Sequence, residues 1–241
     1  MKPPISHSQI VWTAQNLVQQ YVRLVGKEHI LQHGMCFDTM YEEIIYPRYG
    51  IVMDESRELG TDSKGTKILG EYFPRENIAA IDLSQKNGDP RRTFTRYHEV
   101  VGHGVLQGRW LRENMKNGSI ITTSDDLMHH KTVNALEQQA NLCAALTAAP
   151  DWLVDAAIAL TFRPTKFFVF IGPSEYSLNP VRGIPSRSQI AEFPELCRNI
   201  ARFIQPWFDG LSIESLGYRV QKSRLVRDQS KQPAETLRVA I

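Results

Sequence analysis

Cysteine is scarce in this chain, and its placement excludes two kinds of architecture. The 241 residues include three cysteines, Cys36, Cys143 and Cys197, which lie far apart and form no C-x-x-C pair. Disulfide scaffolds and cysteine-based zinc modules both need cysteines in closely spaced sets. The sequence therefore predicts neither of them.

Long apolar runs and a strong net charge are also missing. No stretch approaches the roughly 18 apolar residues of a membrane span, and no charged-then-apolar signal pattern opens the sequence. We therefore expect a cytoplasmic protein without a membrane partner. With 28 basic and 26 acidic residues the formal net charge is +2, so the total charge predicts no field that would attract nucleic acid. The length is compatible with one domain and an appendage.

What the sequence does contain is a histidine–glutamate motif with unusual spacing, because residues 98–103 read H-E-V-V-G-H. In the common H-E-x-x-H motif the histidines stand at i and i+4 on one helix face and bind one metal ion. His98 and His103 stand at i and i+5, which at about 100° per residue puts them about 140° apart on a regular helix. A single wide π-type turn restores their alignment, and Gly102 is a residue type that lets a helix distort at low cost. The motif therefore predicts a metal-binding pair on a π-distorted helix.

Two plainer interpretations are open at this point. In the first, the motif belongs to an ordinary helix and binds no metal. In the second, the helix is regular, and Glu99 and His103 form an i, i+4 pair. That pair would be a carboxylate–histidine metal site or a structural hydrogen bond, and it would leave out His98. Loss of metal in His98→Ala would speak against this second interpretation.

A third metal ligand is available further along the chain. Glu137 opens a helical stretch over 137–146 whose small and apolar residues allow it to pack close beside the first helix. Asp89 and Pro90 supply a start for that first helix, as N-cap and first helical residue. A glutamate from a neighbouring helix completes a two-histidine, one-glutamate set with one open position for water, which is typical of catalytic zinc.

Over roughly residues 65–155 the chain resembles the ImmA/IrrE-type zinc metallopeptidases. Members read roughly as a strand ending in an apolar pair, then R-x-x-F-T-x-x-H-E-x-G-H, then E-x-x-A-N-x-F-A-x-x-L-x-x-P. The matching segments here are a strand pair at 70–72 and 78–82, R-T-F-T-R-Y-H-E at 92–99, G-H at 102–103 and E-Q-Q-A-N at 137–141, running on to Pro150. The chain departs from most members by one extra residue between the histidines. The dipeptidyl-peptidase III family is locally similar in this respect, since it also has H-E-x-x-G-H with both histidines on zinc.

The resemblance implies a fold and a mechanism. The fold would be α+β, with a zincin-like core over 1–155 and a helical C-terminal extension over 156–241 that holds a helix-turn-helix-like segment and a flexible tail. His98, His103 and Glu137 would bind Zn²⁺, and Glu99 would be the general base. The activity would be hydrolysis of peptide bonds in a protein substrate. In the family that substrate is commonly a transcriptional repressor.

Other residues and other function classes complete the expectations. Tyr72, His129 and His130 are candidates for the proton donor or oxyanion stabiliser opposite the metal. Tyr72 otherwise packs in a strand-like run, and the two histidines otherwise belong to a polar loop between the ligand-bearing helices. The alternative functions are a peptidase-fold binding protein without catalysis, and a DNA-associated regulator using residues 211–227.

The hydrophobic pattern also predicts the main elements. We expect a helix over 8–32, a strand over 49–53, a hairpin of 67–72 with 78–83, a helix over 152–160, a long loop over 172–188 and a helix over 192–208.

Overall fold

The computed structural model confirms an α+β protein. It describes residues 5–62, 65–85, 90–114, 127–163, 168–170, 172, 174–178, 186–208 and 211–230. The chain divides into two compact units, Met1–Pro150 with Asp209–Leu211 and Asp151–Phe208 with Ser212–Ile241. The main division therefore falls at residue 150, whereas the sequence predicted it at residue 155.

The first unit begins with two helices where the sequence predicted one. Helix α1, His7–Val25, starts at Ser6, whose hydroxyl accepts from the backbone N–H of Gln9 in a capping box. It ends at Gly26, because a φ of 86° is incompatible with a right-handed helix. Helix α2, Lys27–His33, begins at the next residue. Next come the short helices α3, Phe37–Met40, and α4, Tyr46–Tyr49, joined by a π-helical turn over Tyr41–Ile45.

A three-stranded sheet lies in the same unit. Strands β1, Val52–Asp54, β2, Gly70–Phe73, and β3, Ile78–Ile81, are arranged in the order β1-β3-β2. Strands β2 and β3 are antiparallel, so the predicted hairpin is confirmed. Strand β1 runs parallel to β3 and starts later than the predicted strand over 49–53. The order leaves β2 at one edge of the sheet, beside the helix that carries the histidine motif.

That helix has three consecutive parts. Helix α5, Pro90–Arg96, leads directly into a π-helix over Tyr97–Gln107, which leads into α6, Gly108–Asn114. The predicted π-type distortion is thus confirmed, and it extends over the whole motif. The predicted helix start at Pro90 is also confirmed, whereas Asp89 lies outside the described residues.

Helix α7, Leu127–Ala148, packs along the π-helix and against α1. It begins ten residues before Glu137, where the sequence predicted its start. His129 and His130 therefore belong to the first turn of α7 and not to the predicted polar loop. Residues 129–134 are mostly polar, so the apolar pattern of the helix becomes clear only from Leu136 onward.

In its described residues, the second unit combines three helices with two small sheets. Helix α8, Asp151–Phe162, confirms the predicted helix over 152–160. Strand β4, Phe168–Phe170, pairs in parallel with the later segment Val226–Asp228. The predicted loop over 172–188 is wrong, since Ser174–Leu178 and Ser186–Ile190 form an antiparallel pair, β5 and β6. Pairing between two polar strands depends on their mutual register, which local sequence does not reveal.

Two helices and a strand follow in the described part of the second unit. Helix α9, Phe193–Ile204, with a 3₁₀ turn over Gln205–Trp207, accounts for the predicted helix over 192–208. Helix α10, Ile213–Val220, packs against α9 and is followed by Val226–Asp228 as β7. Residues 211–227 thus contain one helix and the start of a strand. The sequence also predicted a flexible tail at the end of the 156–241 extension, and residues 231–241 of that extension lie outside the described residues.

Among the helices of the described residues, none taken singly has the length and apolar content needed to cross a membrane, while Asn134–Ala148 and Asp151–Phe162 satisfy those criteria only when taken together.

Candidate metal centre

The π-helix brings the two histidines of the motif to one point. The Nε2 atom of His98 lies 3.0 Å from the Nε2 atom of His103, and the two rings meet edge to face. In a π-helix the backbone bonds join residues five apart, so positions i and i+5 share a face. The extra residue between the histidines is therefore absorbed by the helix type. The interpretation that relied on a regular helix, with His98 outside the site, is wrong in its premise.

Glu137 meets both histidines from the neighbouring helix α7. One carboxylate oxygen lies 3.1 Å from His98 Nε2, and the other lies 3.3 Å from His103 Nε2. The Glu137 side chain is 40% exposed, whereas that of His103 is 3% exposed. The structure thus brings together the three residues that the sequence predicted as ligands, with the carboxylate on the side that faces solvent.

Glu99 lies on the inner side of the same cluster. Its Oε1 atom is 3.9 Å from His98 Nε2, and the residue is buried. His98, Glu99 and His103 offer ligand atoms that all lie within 4.8 Å of one another, so this group could hold a metal ion. Both Glu99 and Glu137 therefore compete for the place of third ligand. The shorter distances favour Glu137, because each of its oxygens faces an imidazole nitrogen.

Two glycines make the close packing around the cluster possible. A Cβ at Gly102 would lie 2.7 Å from the Cβ and from the carbonyl oxygen of Ala140, so only glycine lets α7 approach this closely. A Cβ at Gly70, in strand β2, would lie 2.7 Å from Cγ of Glu99 and 2.8 Å from its Oε1. The edge strand and α7 thus press on the motif from two sides, which fixes Glu99 and brings Glu137 within reach.

The two glutamates have opposite protonation tendencies. Burial raises the pKa of Glu99 to about 8. The negative charges of Glu137 and Glu71 raise this pKa further, whereas His98 lowers it. Burial also opposes ionisation of Glu137. The hydrogen bonds and charges of His103 and His98 nevertheless outweigh it and hold the pKa of the Glu137 carboxyl well below its usual range. Glu137 is thus an anionic partner of the imidazoles, whereas Glu99 is a carboxyl group that readily holds a proton.

The far side of each imidazole is supported differently. The Nδ1 atom of His103 lies 2.8 Å from Oε1 of Gln107, a residue with no solvent exposure. The Gln107 amide in turn donates to the carbonyl oxygen of Leu136 over 2.7 Å. The Nδ1 atom of His98 is buried and has no hydrogen-bond partner within the described ranges.

Among the remaining sequence candidates, Tyr72 is engaged away from the cluster. The Tyr72 hydroxyl donates to Oδ1 of Asn77 over 2.6 Å and accepts from Arg112, so it is already engaged as a packing and hydrogen-bonding group. The side chains of His129 and His130 lie outside the described residues. Gln107 was not identified from the sequence. The signal that could have indicated its contact with His103 is its position four residues after that histidine.

The donor set could hold a metal ion, and its spacing can be compared with the spacing of ligands in zinc sites. Zinc binds imidazole nitrogen and carboxylate oxygen at about 2.0–2.2 Å in tetrahedral geometry, which separates neighbouring ligand atoms by about 3.4 Å. The three separations at His98, His103 and Glu137 are 3.0, 3.1 and 3.3 Å. Two imidazole nitrogens and a carboxylate directed at one point satisfy that requirement with a small expansion.

Comparisons with known proteins give no relative: no family model, no curated protein and no solved structure matches the chain.

Proposed function

We propose that this protein is a zinc-dependent metallopeptidase in which His98, His103 and Glu137 bind the ion and Glu99 is the general base. The observation that carries the proposal is the convergence of three side chains from two helices, in which two imidazole nitrogens and the two oxygens of one carboxylate lie at N–N and N–O separations of 3.0–3.3 Å. The buried carboxyl group of Glu99 beside them supports it further, because its raised pKa suits a group that takes up a proton and later releases it. A purely structural zinc site would have four protein ligands, whereas the described residues contribute three at these distances.

A bound zinc ion would supply Lewis acidity, since it lowers the pKa of a coordinated water and polarises a carbonyl oxygen. The protein residues have separate tasks. Glu137 and the two imidazoles hold the ion, and Gln107 orients one of the imidazoles. Glu99 accepts the proton of the attacking water at Oε1 and delivers it to the leaving amine. Glu99 lies inside the cluster, where Gly70 leaves the room that its carboxylate needs.

The sheet offers a place for an extended peptide beside this cluster. Strand β2 lies at the edge of the three-stranded sheet, and its first residue, Gly70, touches Glu99. An edge strand can bind an extended segment through backbone hydrogen bonds. A peptide bound along β2 would pass next to the general base, which supports a protein substrate over a compact small molecule.

The resemblance to ImmA/IrrE-type peptidases extends the proposal to the substrate class, because transcriptional repressors are the common substrates there. The sequence itself does not identify a particular repressor as the substrate. The spacing of the histidines is accommodated by the π-helix, so the extra residue does not argue against a working site.

The test is proteolysis of protein substrates by the purified zinc-loaded protein and by Glu99→Gln. Glu99→Gln keeps all three proposed ligands but cannot accept the proton, so it should bind zinc and cleave nothing. Glu137→Ala should lose both zinc and activity. If Glu99→Gln loses zinc and Glu137→Ala retains it, Glu99 is the third ligand and the assigned roles are wrong.

A further inference from the structure

The strongest unassigned feature is the buried amide of Gln107, which joins a ligand of one helix to the backbone of the other. Gln107 is the last residue of the π-helix. Its Oε1 atom lies 2.8 Å from Nδ1 of His103, and its Nε2 atom donates to the carbonyl oxygen of Leu136 over 2.7 Å. The residue has no solvent exposure, so water does not compete for either bond.

The chemistry of the partners fixes the direction of both bonds. A backbone carbonyl only accepts, so the NH₂ group of the amide must face Leu136. The amide oxygen then faces His103, and since it can only accept, the proton of the imidazole must be on Nδ1. With its proton on Nδ1, His103 presents a lone pair at Nε2, toward His98 and Glu137.

The second bond also sets the register between the two helices. Leu136 directly precedes Glu137 on α7. By holding the Leu136 carbonyl, Gln107 holds the α7 backbone at the level where Glu137 meets both histidines. The support is one-sided, because the buried Nδ1 atom of His98 has no such partner in the described part of the chain.

We infer that Gln107 is a positioning residue that selects the metal-binding tautomer of His103 and aligns Glu137 with it. The inference rests on the proposed metal site and adds a residue that touches neither the ion nor a substrate. Outer groups that bind a ligating histidine raise metal affinity, and their loss typically costs about 10-fold to 100-fold.

The chain offers a matched control in Gln139. This residue is also a buried glutamine of the first unit, at 7% exposure, and its amide donates to the carbonyl oxygen of Ile5 over 2.8 Å. Gln107→Met and Gln139→Met therefore each remove one buried amide-to-carbonyl bond. Only Gln107→Met also removes an acceptor from a histidine. A third variant, Gln107→Glu, keeps an acceptor for His103 and loses the donor to Leu136.

The experiment measures the zinc dissociation constant of the full chain by chelator competition, together with the visible spectrum of the cobalt-substituted protein. Gln107→Met should bind zinc about 10-fold to 100-fold more weakly than wild type and should change the cobalt spectrum. Gln139→Met should bind as wild type. Gln107→Glu should keep an affinity closer to wild type than that of Gln107→Met, even if it melts at a lower temperature.

The outcomes separate this inference from the function on which it rests. If the wild-type protein binds zinc and Gln107→Met binds it equally well, or if Gln139→Met loses as much affinity, the positioning role is wrong and the metallopeptidase proposal stands. If the wild-type protein binds no zinc at all, both are wrong.

Discussion

The Nε2 atoms of His98 and His103 lie 3.0 Å apart although five positions separate the residues in the chain. The π-helix over Tyr97–Gln107 accounts for this relationship, because a π-turn is an α-turn that has absorbed one additional residue. Removing one residue should therefore leave a regular helix with the histidines four apart, and adding one should separate them.

Deletion of Val101 tests this relationship directly. The shortened motif H-E-V-G-H should still bind zinc, because i and i+4 share a face of an α-helix. Its stability should fall, since Val101 is completely buried. Insertion of an alanine after Val101 should abolish zinc binding, which is measured by elemental analysis. Equal zinc content in the deletion and insertion variants would mean that helix type does not control the site.

Gly102→Ala should weaken both the fold and the metal site. Its new Cβ would lie 2.7 Å from the carbonyl oxygen and 2.8 Å from the Cα of Ala140, so α7 must move away and carry Glu137 with it. We expect a loss of about 1–3 kcal/mol in the free energy of unfolding, measured by urea denaturation, with weaker zinc binding.

Gly104→Ala is the control for Gly102→Ala in the same π-helix. The nearest atom to its new Cβ is Cδ1 of Ile51, at 2.6 Å, which is the end of a flexible side chain. Gly104→Ala should therefore cost less stability and leave zinc binding intact. A larger zinc defect in Gly104→Ala than in Gly102→Ala would show that the approach of α7 is not what Gly102 secures.

Glu55 should contribute pH-dependent stability. Its carboxylate binds Arg92 over 2.6 Å and Arg96 over 2.6 and 2.9 Å. Burial opposes its ionisation, but the two arginines prevail and lower the pKa of Glu55. A lowered folded-state pKa gives stability that is complete above the unfolded-state pKa and disappears as the pH falls through the folded-state pKa. Glu55→Gln should therefore cost about 1–2 kcal/mol near neutral pH, and the cost should shrink toward pH 3.

Glu113→Gln is the matched control for Glu55→Gln, because Glu113 forms an exposed ion pair with Arg109. Exposed pairs contribute little, so this variant should unfold like wild type at every pH. A cost of Glu55→Gln that stays constant between pH 7 and pH 3 in denaturation curves would contradict the account of its ion pairs.

Added zinc should raise the melting temperature. A ligand at 100 times its dissociation constant stabilises the folded state by about 2.7 kcal/mol, which for a chain of this size is a shift of roughly 5–10 °C. The shift should be absent in His103→Ala, and magnesium should not reproduce it because nitrogen ligands suit zinc better. Differential scanning calorimetry with each metal is the measurement, and equal shifts with zinc in wild type and His103→Ala would contradict specific binding.

The sequence predicted which side chains come together around His98 better than it predicted the surrounding fold. The spacing of His98 and His103 required a π-turn, and the structure contains one, because a metal pair on one helix permits few geometries. Glu137 followed from the same requirement for a third ligand. Gln107 could not be predicted with equal force, since its role depends on the Leu136 carbonyl of another helix.

The errors in the fold have a common physical cause. The break at Gly26 depends on a backbone angle, and the pairing of β5 with β6 depends on contacts between separate segments. Residues 129–134, near the start of α7, are mostly polar and lack the apolar periodicity by which helices are recognised. The local hydrophobic pattern therefore predicted the longer apolar elements. It did not predict the features that depend on contacts between distant segments or on backbone angles.

The most direct test of the central claim is elemental analysis of the purified protein beside His98→Ala, His103→Ala, Glu137→Ala and Glu99→Gln. We expect about one zinc per chain in wild type and in Glu99→Gln, as for a single mononuclear site, and none in the other three variants. Absence of metal from wild type, or zinc that persists in Glu137→Ala, would contradict the central claim.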